Sequence, residues 1–223
     1  MPRVIVFDVN ETLLDLSALD PHFERVFGDP AVRGQWFAQL LHNAFVSTIT
    51  AVYADFGRLA IAALEMVAAR RGVELTDDDR QTTSLAMKAL PPHLDVHESL
   101  ERLRAAGFRM ATLTNSTLQV AEDQLANAGL RDYFEQVLSA DRVWRLKPAE
   151  EPYRMAAEHL RVNVDEIRLV AAHAWDITGA LRAGMLAAFV ARQGAVLDPL
   201  VEPPDIIGAD LREVTDRILE VDA

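Results

Sequence analysis

The chain has 223 residues, half of them hydrophobic, with a formal net charge of −12 and no cysteine. A chain of this length buries one sizeable core, with or without an inserted segment. The acidic balance argues against nucleic acid or an anionic membrane as a partner, and the absence of cysteine excludes disulfides and thiolate chemistry and is typical of a cytoplasmic protein.

The first predicted element is a short run rich in β-branched residues. Val4–Phe7 predicts a strand buried on both faces of a parallel sheet, and Asp8 follows it directly. The strand begins too close to the N-terminus for a signal peptide, and no apolar run reaches the roughly 18 residues of a membrane span. We expect Asp8 at the carboxyl edge of the sheet, where open α/β sheets bind ligands.

The next segment carries helical periodicity and no further strand signal. Apolar residues recur at three- and four-residue spacing over residues 36–49 and again further on. Thr76, followed by three aspartates, predicts a helix N-cap, and a pair of prolines closes the segment. We expect an all-helical cap over residues 16–91, inserted after the first strand into a core formed by residues 1–15 and 92–223.

From residue 96 onward helices and strands alternate. This alternation predicts βαβ units and therefore an α/β fold with a doubly wound, Rossmann-like parallel sheet. The expected elements are a helix at 97–106, a strand at 109–114, a helix at 117–128, a strand at 136–139, a helix at 150–160, a strand at 167–172, a helix at 177–183, a strand at 186–191 and a helix at 210–220.

Polar side chains follow several of these strands. Thr114 and Asn115 end one strand, Lys147 stands before a proline, and Asp176 comes soon after another strand. The carboxyl ends of parallel strands meet at one edge of a sheet, so we expect these groups close to Asp8. The chain has only two lysines among many arginines, which favours a specific role for the compact ammonium of Lys147.

Taken in chain order, these groups resemble the haloacid dehalogenase superfamily. Four stretches are similar to its L-2-haloacid dehalogenase (type II) branch: Phe-Asp-Val-Asn-Glu-Thr-Leu-Leu-Asp at 7–15, Thr-Asn-Ser at 114–116, Arg-Leu-Lys-Pro with Tyr153 six residues beyond the lysine, and Ala-Trp-Asp-Ile-Thr-Gly-Ala at 174–180. The resemblance covers essentially the whole chain. It implies a Rossmann-like core with a helical cap, in an enzyme that is often a homodimer.

The resemblance also implies a reaction. Asp8 is expected to attack C2 of a short 2-haloalkanoate, such as a haloacetate or L-2-halopropionate, and to form an aspartyl ester that water hydrolyses to a 2-hydroxy acid. A desolvated carboxylate beside a cation is a serviceable nucleophile, and Lys147 is expected to be that cation. Thr12 and Asp176 are expected to be catalytic. The expected substrate-binding residues are Val9, Asn10, Thr114, Asn115, Tyr153, His173 and Phe37.

Two exchanges argue against a metal-dependent phosphatase. Phosphatases of this superfamily carry acids where this chain has Asn10 and Ala172, and magnesium sites normally draw on carboxylates. We therefore expect no metal and no cofactor. Glu11 is expected to point to the opposite side of an extended backbone and not to act as a substitute acid. A magnesium phosphatase and a non-catalytic carboxylate-binding protein remain the alternatives.

Two further departures from the family pattern involve three positions. The family's fourth motif usually carries serine and asparagine where this chain has Ala171 and His173, and its cap usually presents an arginine to the halide where this chain has Phe37. A neutral histidine donates one hydrogen bond, and histidine also acts as a base near its ordinary pKa of ~6.5. We expect His173 to serve the leaving halide. The alternatives in the cap are Arg33, Arg58, His42 and Asn43.

Overall fold

A six-stranded parallel sheet forms the centre of the structure, a computed structural model that describes residues 4–222. The strands are β1 Val4–Phe7, β2 Met110–Thr114, β3 Gln136–Ser139, β4 Ile167–Ala171, β5 Leu186–Val190 and β6 Ile206–Gly208, in the spatial order β3-β2-β1-β4-β5-β6. From β1 the chain adds β2 and then β3 on one side, and it then adds β4, β5 and β6 on the other. The predicted doubly wound sheet is confirmed, and the end of β1 lies where the strand order reverses.

Helices cover both faces of this sheet and also form a group between β1 and β2. They are α1 Asp20–Phe27, α2 Val32–Thr50, α3 Phe56–Arg71, α4 Asp77–Lys88, α5 Val96–Ala105, α6 Leu118–Asn127, α7 Glu150–Leu160, α8 Ala174–Ala183 and α9 Leu211–Val221. Helices α5, α6 and α9 contribute to one core, and α7 and α8 contribute to a second. Within the described residues, no helix is both long enough and apolar enough to cross a bilayer.

The side chains of β1 alternate between these two cores. Ile5 and Phe7 pack with α5 and α9, whereas Val4 and Val6 pack with α7 and α8. All four are almost fully buried, because β1 pairs with β2 on one side and with β4 on the other. A strand covered on both faces and both edges has one fixed direction, and it holds Asp8 at the edge of the sheet.

Helices α1 to α4 pack together around their own apolar residues. Trp36 of α2 is fully buried, and its indole N–H donates to the carbonyl of Ala60 in α3 at 2.9 Å. The predicted N-cap at Thr76 is confirmed and forms a complete capping box with Asp79. The chain leaves the sheet and returns side by side, since the N–H of Asp15 donates to the carbonyl of Pro91 at 2.8 Å. The division into a cap and a core stays a prediction.

Two elements differ from the sequence-based prediction. Helix α8 begins at Ala174, three residues before the predicted start, which places Asp176 in its first turn. The three-residue strand β6 was not predicted, because a run of three residues carries too little alternation to identify a strand. Among residues 4–222 it pairs with β5 at the sheet edge, and it does not alter the surroundings of Asp8.

Candidate active site

Asp8 presents an ionised carboxylate at the end of β1. Its Oδ1 accepts a hydrogen bond from Lys147 Nζ at 2.9 Å, and its Oδ2 accepts one from the Thr12 hydroxyl at 2.8 Å. Burial by itself would raise the pKa of Asp8, but the adjacent charge of Lys147 outweighs it and the pKa lies below its ordinary value. The nucleophile expected from the sequence is therefore desolvated, charged and fixed in orientation.

Lys147 joins the two buried carboxylates of the site. Its fully buried ammonium donates to Asp8, to Asp176 Oδ2 at 2.5 Å and to the carbonyl of Leu113 at 2.7 Å. Burial lowers the pKa of an ammonium, but the charges of Asp176 and Asp8 outweigh this and raise the pKa of Lys147. Asn115 fixes the lysine's backbone, since its Oδ1 accepts from the Lys147 N–H at 2.8 Å and its Nδ2 donates to the Lys147 carbonyl at 3.3 Å.

Asp176 and Tyr153 continue the hydrogen-bond network that holds the lysine. Burial raises the pKa of Asp176, and its Oδ1 accepts a 2.6 Å hydrogen bond from the Tyr153 hydroxyl. Burial, followed by the charge of Asp176, raises the pKa of Tyr153, so the phenol remains a donor. Gly179 in α8 permits this packing: a Cβ there would overlap the Tyr153 hydroxyl and come within 2.8 Å of Pro148 Cβ. The sequence signal for this close packing was Gly179 itself, a glycine inside a helical pattern.

A second network holds Thr12. Its Oγ1 accepts from the Ala172 N–H at 3.0 Å, and its carbonyl accepts from Arg192 Nη2 at 2.9 Å. The same guanidinium donates to Asp95 Oδ2 at 2.6 Å. Sequence reasoning missed Arg192 and Asp95, although Arg192 follows strand β5 in the same way that the predicted residues follow theirs. The network fixes Thr12, whose hydroxyl in turn orients Asp8.

Asn10 is turned toward helix α6. Its Oδ1 accepts from Gln124 Nε2 at 2.9 Å, and its Nδ2 donates to the hydroxyl of Ser116 at 3.3 Å. Gln124 is itself held through the carbonyl of Met87, which accepts from the same Nε2 at 2.7 Å. Both ends of the Asn10 amide are engaged, and an amide has no acidic proton to transfer.

A small chamber opens above Asp8 and adjoins a larger outer cleft. The chamber has a volume of about 10 Å³, and its lining residues are Asp8, Asn10, Phe37, Leu41, Phe56, Thr114, Asn115, Lys147, His173 and Trp175. The outer cleft has a volume of about 380 Å³. Both are lined by Phe37, Leu41, His173 and Trp175. These four side chains therefore lie between Asp8 and the outer cleft.

His173 brings an imidazole to this boundary. Its Nε2 lies 4.0 Å from Asp8 Oδ2. The ring stacks nearly parallel to Trp175 at a centroid distance of 5.2 Å and packs at a tilt against Phe37 at 5.7 Å. The residue is the N-cap of α8, and its carbonyl accepts from the N–H groups of Asp176 and Ile177. Two aromatic side chains thus pack against the ring, and its Nε2 edge lies near Asp8.

The remaining predicted residues fall into distinct places. Thr12, Tyr153 and Asp176 do not line the chamber: Thr12 hydrogen-bonds to Asp8, Asp176 to Lys147 and Tyr153 to Asp176, and their predicted roles stay predictions. Val9 is fully buried in the core that contains Ile5 and does not line the chamber, so its predicted contact with substrate stays a prediction.

The alternative halide ligands in the predicted cap do not line the chamber. Arg33 lies in the outer cleft, where it pairs with Asp20 at 2.5 Å and with Glu11 at 3.4 Å. His42 and Asn43 hydrogen-bond to Gln39. The fourth alternative, at position 58, has an exposed side chain.

Glu11 does not have the extended backbone predicted for it. Its φ of 63° lies in the left-handed region, so the reason given for excluding it as an acid was wrong. Its side chain lines the outer cleft and pairs with Arg33, and burial raises the pKa of its carboxyl group. The carboxylate is not among the groups that line the chamber above Asp8.

The residues at this site do not suit magnesium. An octahedral oxygen cage needs several carboxylate or carbonyl ligands. Here the Lys147 ammonium bridges Asp8 and Asp176, Asn10 is bound to Gln124 and Ser116, and position 172 offers only a methyl group. Among residues 4–222 no group of three or more histidine, cysteine or acidic side chains is arranged to hold a metal ion.

Known proteins share both the sequence pattern and the fold. The family model for haloacid dehalogenase-like hydrolases matches residues 2–184. The (S)-2-haloacid dehalogenase of Pseudomonas sp. strain YL is 28% identical over 214 residues, which cover 95% of this chain and 92% of that protein. The (S)-2-haloacid dehalogenase 1 of Pseudomonas sp. strain CBS-3 is 30% identical over 180 residues, 80% and 79% of the two chains. The solved L-2-haloacid dehalogenase of Xanthobacter autotrophicus superposes with a TM-score of 0.92 at 25% identity over 100% of both chains.

Proposed function

This chain belongs to the haloacid dehalogenase-like hydrolases, and we propose that it hydrolyses the carbon–halogen bond of short 2-haloalkanoates to give 2-hydroxy acids. The observation that carries the proposal is the buried, ionised carboxylate of Asp8, held between Lys147 and Thr12 beside a chamber that lacks a general acid at Asn10. The named dehalogenases among its relatives support the same reaction.

In the first step a carboxylate oxygen of Asp8 displaces halide from C2 of the substrate. The carbon–halogen bond breaks as the new carbon–oxygen bond forms, with inversion at C2. Desolvation and a fixed orientation favour this in-line attack, because the nucleophile has neither a water shell to lose nor a rotation to complete. Lys147 keeps Asp8 ionised until the attack.

The substrate carboxylate requires donors at the other end of the chamber. Thr114 Oγ1 accepts from the Ser116 N–H at 3.2 Å, which leaves its own hydroxyl proton free to donate. Asn115 lines the chamber as well, although its amide is engaged with the backbone of Lys147. We assign substrate carboxylate binding to Thr114 and the backbone N–H groups around it, with Asn115 positioning the lysine.

In the second step water hydrolyses the aspartyl ester and restores Asp8. Attack at the Asp8 carbonyl carbon develops negative charge beside the Lys147 ammonium, which is already in place to stabilise it. Asp176 and Tyr153 hold that ammonium in position throughout. The product is a 2-hydroxy acid.

Halide suits this site better than phosphate does. A leaving alcohol needs a proton, and the position where a phosphatase carries its acid is occupied by the amide of Asn10. Halide leaves without a proton. A phosphoryl group would also bring further negative charge to a site where two carboxylates share a single ammonium.

The size of the chamber favours small substrates. Its volume of about 10 Å³ is small beside the outer cleft of about 380 Å³, so short substrates fit it best. The proposal therefore names haloacetates and L-2-halopropionate. A cytoplasmic location and a homodimeric state belong to the proposal as well.

The test is halide release across fluoro-, chloro- and bromoacetate and both enantiomers of 2-chloropropionate, with EDTA present. We expect release from at least one of these substrates at the same rate with and without EDTA, and none from Asp8→Asn, which keeps the shape of the side chain but removes the nucleophile. Loss of turnover in EDTA that magnesium restores, together with hydrolysis of generic phosphate esters, would contradict the proposal in favour of a phosphatase.

A further inference from the structure

We propose that His173 is the general base that activates the water which hydrolyses the aspartyl ester. This inference rests on the function proposed above and adds the identity of the group that receives the proton. Water is a poor nucleophile toward an ester, and a positioned base typically accelerates such an attack by about 10²–10⁴-fold.

Few groups that line the chamber could act as the base in place of His173. Besides Asp8, which is the ester itself at this stage, the titratable groups in the lining are Lys147 and His173. Lys147 is an ammonium with a raised pKa, so it has no lone pair to accept a proton. The amides and hydroxyls of Asn10, Thr114 and Asn115 are not basic at neutral pH. Imidazole is the base in this set.

Asp176 is the other carboxylate of the site, but its position is unsuited to this task. One of its oxygens accepts from Lys147 at 2.5 Å and the other from Tyr153 at 2.6 Å. It has no exposure and does not line the chamber. When alkylation removes the charge of Asp8, Asp176 remains the counter-charge of the buried ammonium, and protonating it would leave that ammonium unpaired.

The distance from His173 to Asp8 fits a bridging water. At 4.0 Å, Nε2 is too far from Asp8 Oδ2 for a direct hydrogen bond. A general base reaches its target through one water, and two contacts of about 2.9 Å that meet at an angle span this gap. A water placed there hydrogen-bonds to Nε2 and lies against the carboxyl group that carries the ester.

The imidazole is free to accept this proton. Across residues 4–222 neither of its ring nitrogens is engaged in a hydrogen bond, the 4.0 Å approach to Asp8 being its polar contact. Trp175, stacked on the ring at 5.2 Å, and Phe37, tilted against it at 5.7 Å, restrict its rotation. Packing orients the ring, and neither ring nitrogen is committed to another partner within the described residues. A general base needs both properties to accept a proton from water.

The proton and electron balance of the step is complete. Water oxygen bonds to the Asp8 carbonyl carbon and its proton passes to His173 Nε2, giving an oxyanion beside Lys147. Collapse of this intermediate breaks the bond between the carbonyl carbon and the substrate oxygen, and the departing oxygen takes the proton from His173. Asp8 is left as a carboxylic acid, which returns its proton to solvent and regains its charge.

The same residue was predicted from the sequence to serve the leaving halide, and the two roles differ in the step they affect. A halide donor is needed while the ester forms, so its loss slows the first release of halide. A base is needed only afterwards, so its loss leaves the first halide release intact and traps the ester. The order of halide and hydroxy acid release therefore separates the roles.

The experiment mixes wild type, His173→Ala and His173→Gln with chloroacetate and follows halide release and the mass of the quenched protein. Both substitutions remove the base, and glutamine keeps a polar side chain of similar length if the alanine variant folds poorly. We expect each variant to release about one halide per protein molecule rapidly, to accumulate the carboxymethyl ester of Asp8, and to hydrolyse it about 10²–10⁴-fold more slowly. His42→Ala is the matched histidine control, since His42 binds Gln39 outside the chamber, and we expect wild-type kinetics from it.

Chemical rescue distinguishes a base from a packing residue. Free imidazole should speed ester hydrolysis in His173→Ala, whereas pyrazole, a ring of the same shape that is a much weaker base, should not. Slower first release of halide without accumulation of ester would overturn the inference in favour of a leaving-group role. Unchanged ester hydrolysis, or equal rescue by both rings, would also overturn it. Absence of halide release from wild type would contradict the proposed function itself, an outcome distinct from the others.

Discussion

The two walls of the chamber above Asp8 are built in opposite ways. The wall formed by the sheet carries Asp8, Thr114 and Lys147, and hydrogen bonds within the protein hold their polar groups in place. The wall formed by the helices that follow β1 presents the apolar side chains of Phe37 and Leu41, with no guanidinium among the described lining residues. The sheet wall has the charges and fixed geometry that chemistry requires, and the helical wall sets shape and access.

The contrast has a physical origin. A buried ammonium between two carboxylates is stable only when each charge keeps its partner, so the sheet wall tolerates little change. Apolar side chains at the rim of a cleft tolerate exchange for others of similar volume. Substitutions in the sheet wall should therefore affect the rate of the chemical steps, and substitutions in the helical wall should affect which substrates enter.

The largest effect is expected for Lys147→Ala. It leaves Asp8 and Asp176 facing each other without a cation, so we expect kcat to fall by at least about 10³-fold and the free energy of unfolding to fall by about 3–5 kcal/mol. Steady-state kinetics and denaturant unfolding measure the two effects. The matched control is Lys88→Ala, which removes the chain's other lysine from a partly exposed pair with Asp123. Similar losses of kcat and stability in both variants would show that the buried cluster of Lys147 with its two carboxylates has no special role.

An intermediate effect is expected for Tyr153→Phe. The variant removes the hydroxyl that donates to Asp176 but keeps the ring that packs against α8. A hydrogen bond to a charged group contributes about 1.5–3 kcal/mol, so kcat should fall by roughly 10- to 100-fold with a substrate KM close to wild type. If kcat stays at the wild-type value, Tyr153 does not position the lysine for the reaction.

The smallest effect on chemistry is expected for Phe37→Ala. The substitution enlarges the chamber without touching Asp8 or Lys147, so kcat for chloroacetate should stay within about tenfold of wild type. The ratio kcat/KM for longer 2-haloalkanoates should rise relative to that for chloroacetate. A loss as large as that of Lys147→Ala would mean that the helical wall takes part in catalysis and would remove the distinction between the walls.

The contrast between the two walls also explains which parts of the site could be predicted from the sequence. The buried run before Asp8 and the alternation after residue 96 were enough to predict the sheet and the meeting of Asp8, Lys147 and Asp176 at its edge, because parallel strands bring their carboxyl ends together. The positions of Arg192 and Gln124 were not predictable, since hydrogen bonds between residues more than 100 positions apart leave no local pattern.

The helical side was harder to predict for a related reason. Helical periodicity identifies the buried face of α2 but not which of its turns reaches the chamber. Arg33 and His42 were therefore both retained as halide ligands, and only the structure separates the outer cleft from the chamber. At Glu11 the left-handed backbone also escaped prediction, because that conformation is uncommon for a residue other than glycine.

The central claim is that Asp8 forms the ester and that water attacks its carbonyl carbon. A single turnover of chloroacetate in ¹⁸O-water, with protein in excess, tests it directly when Asp8 and the glycolate product are both analysed by mass spectrometry. The account predicts that the label appears in the Asp8 carboxylate and is absent from the product hydroxyl. Label in the hydroxyl of glycolate after this first turnover, with none in Asp8, would mean that water displaces the halide and would contradict the account.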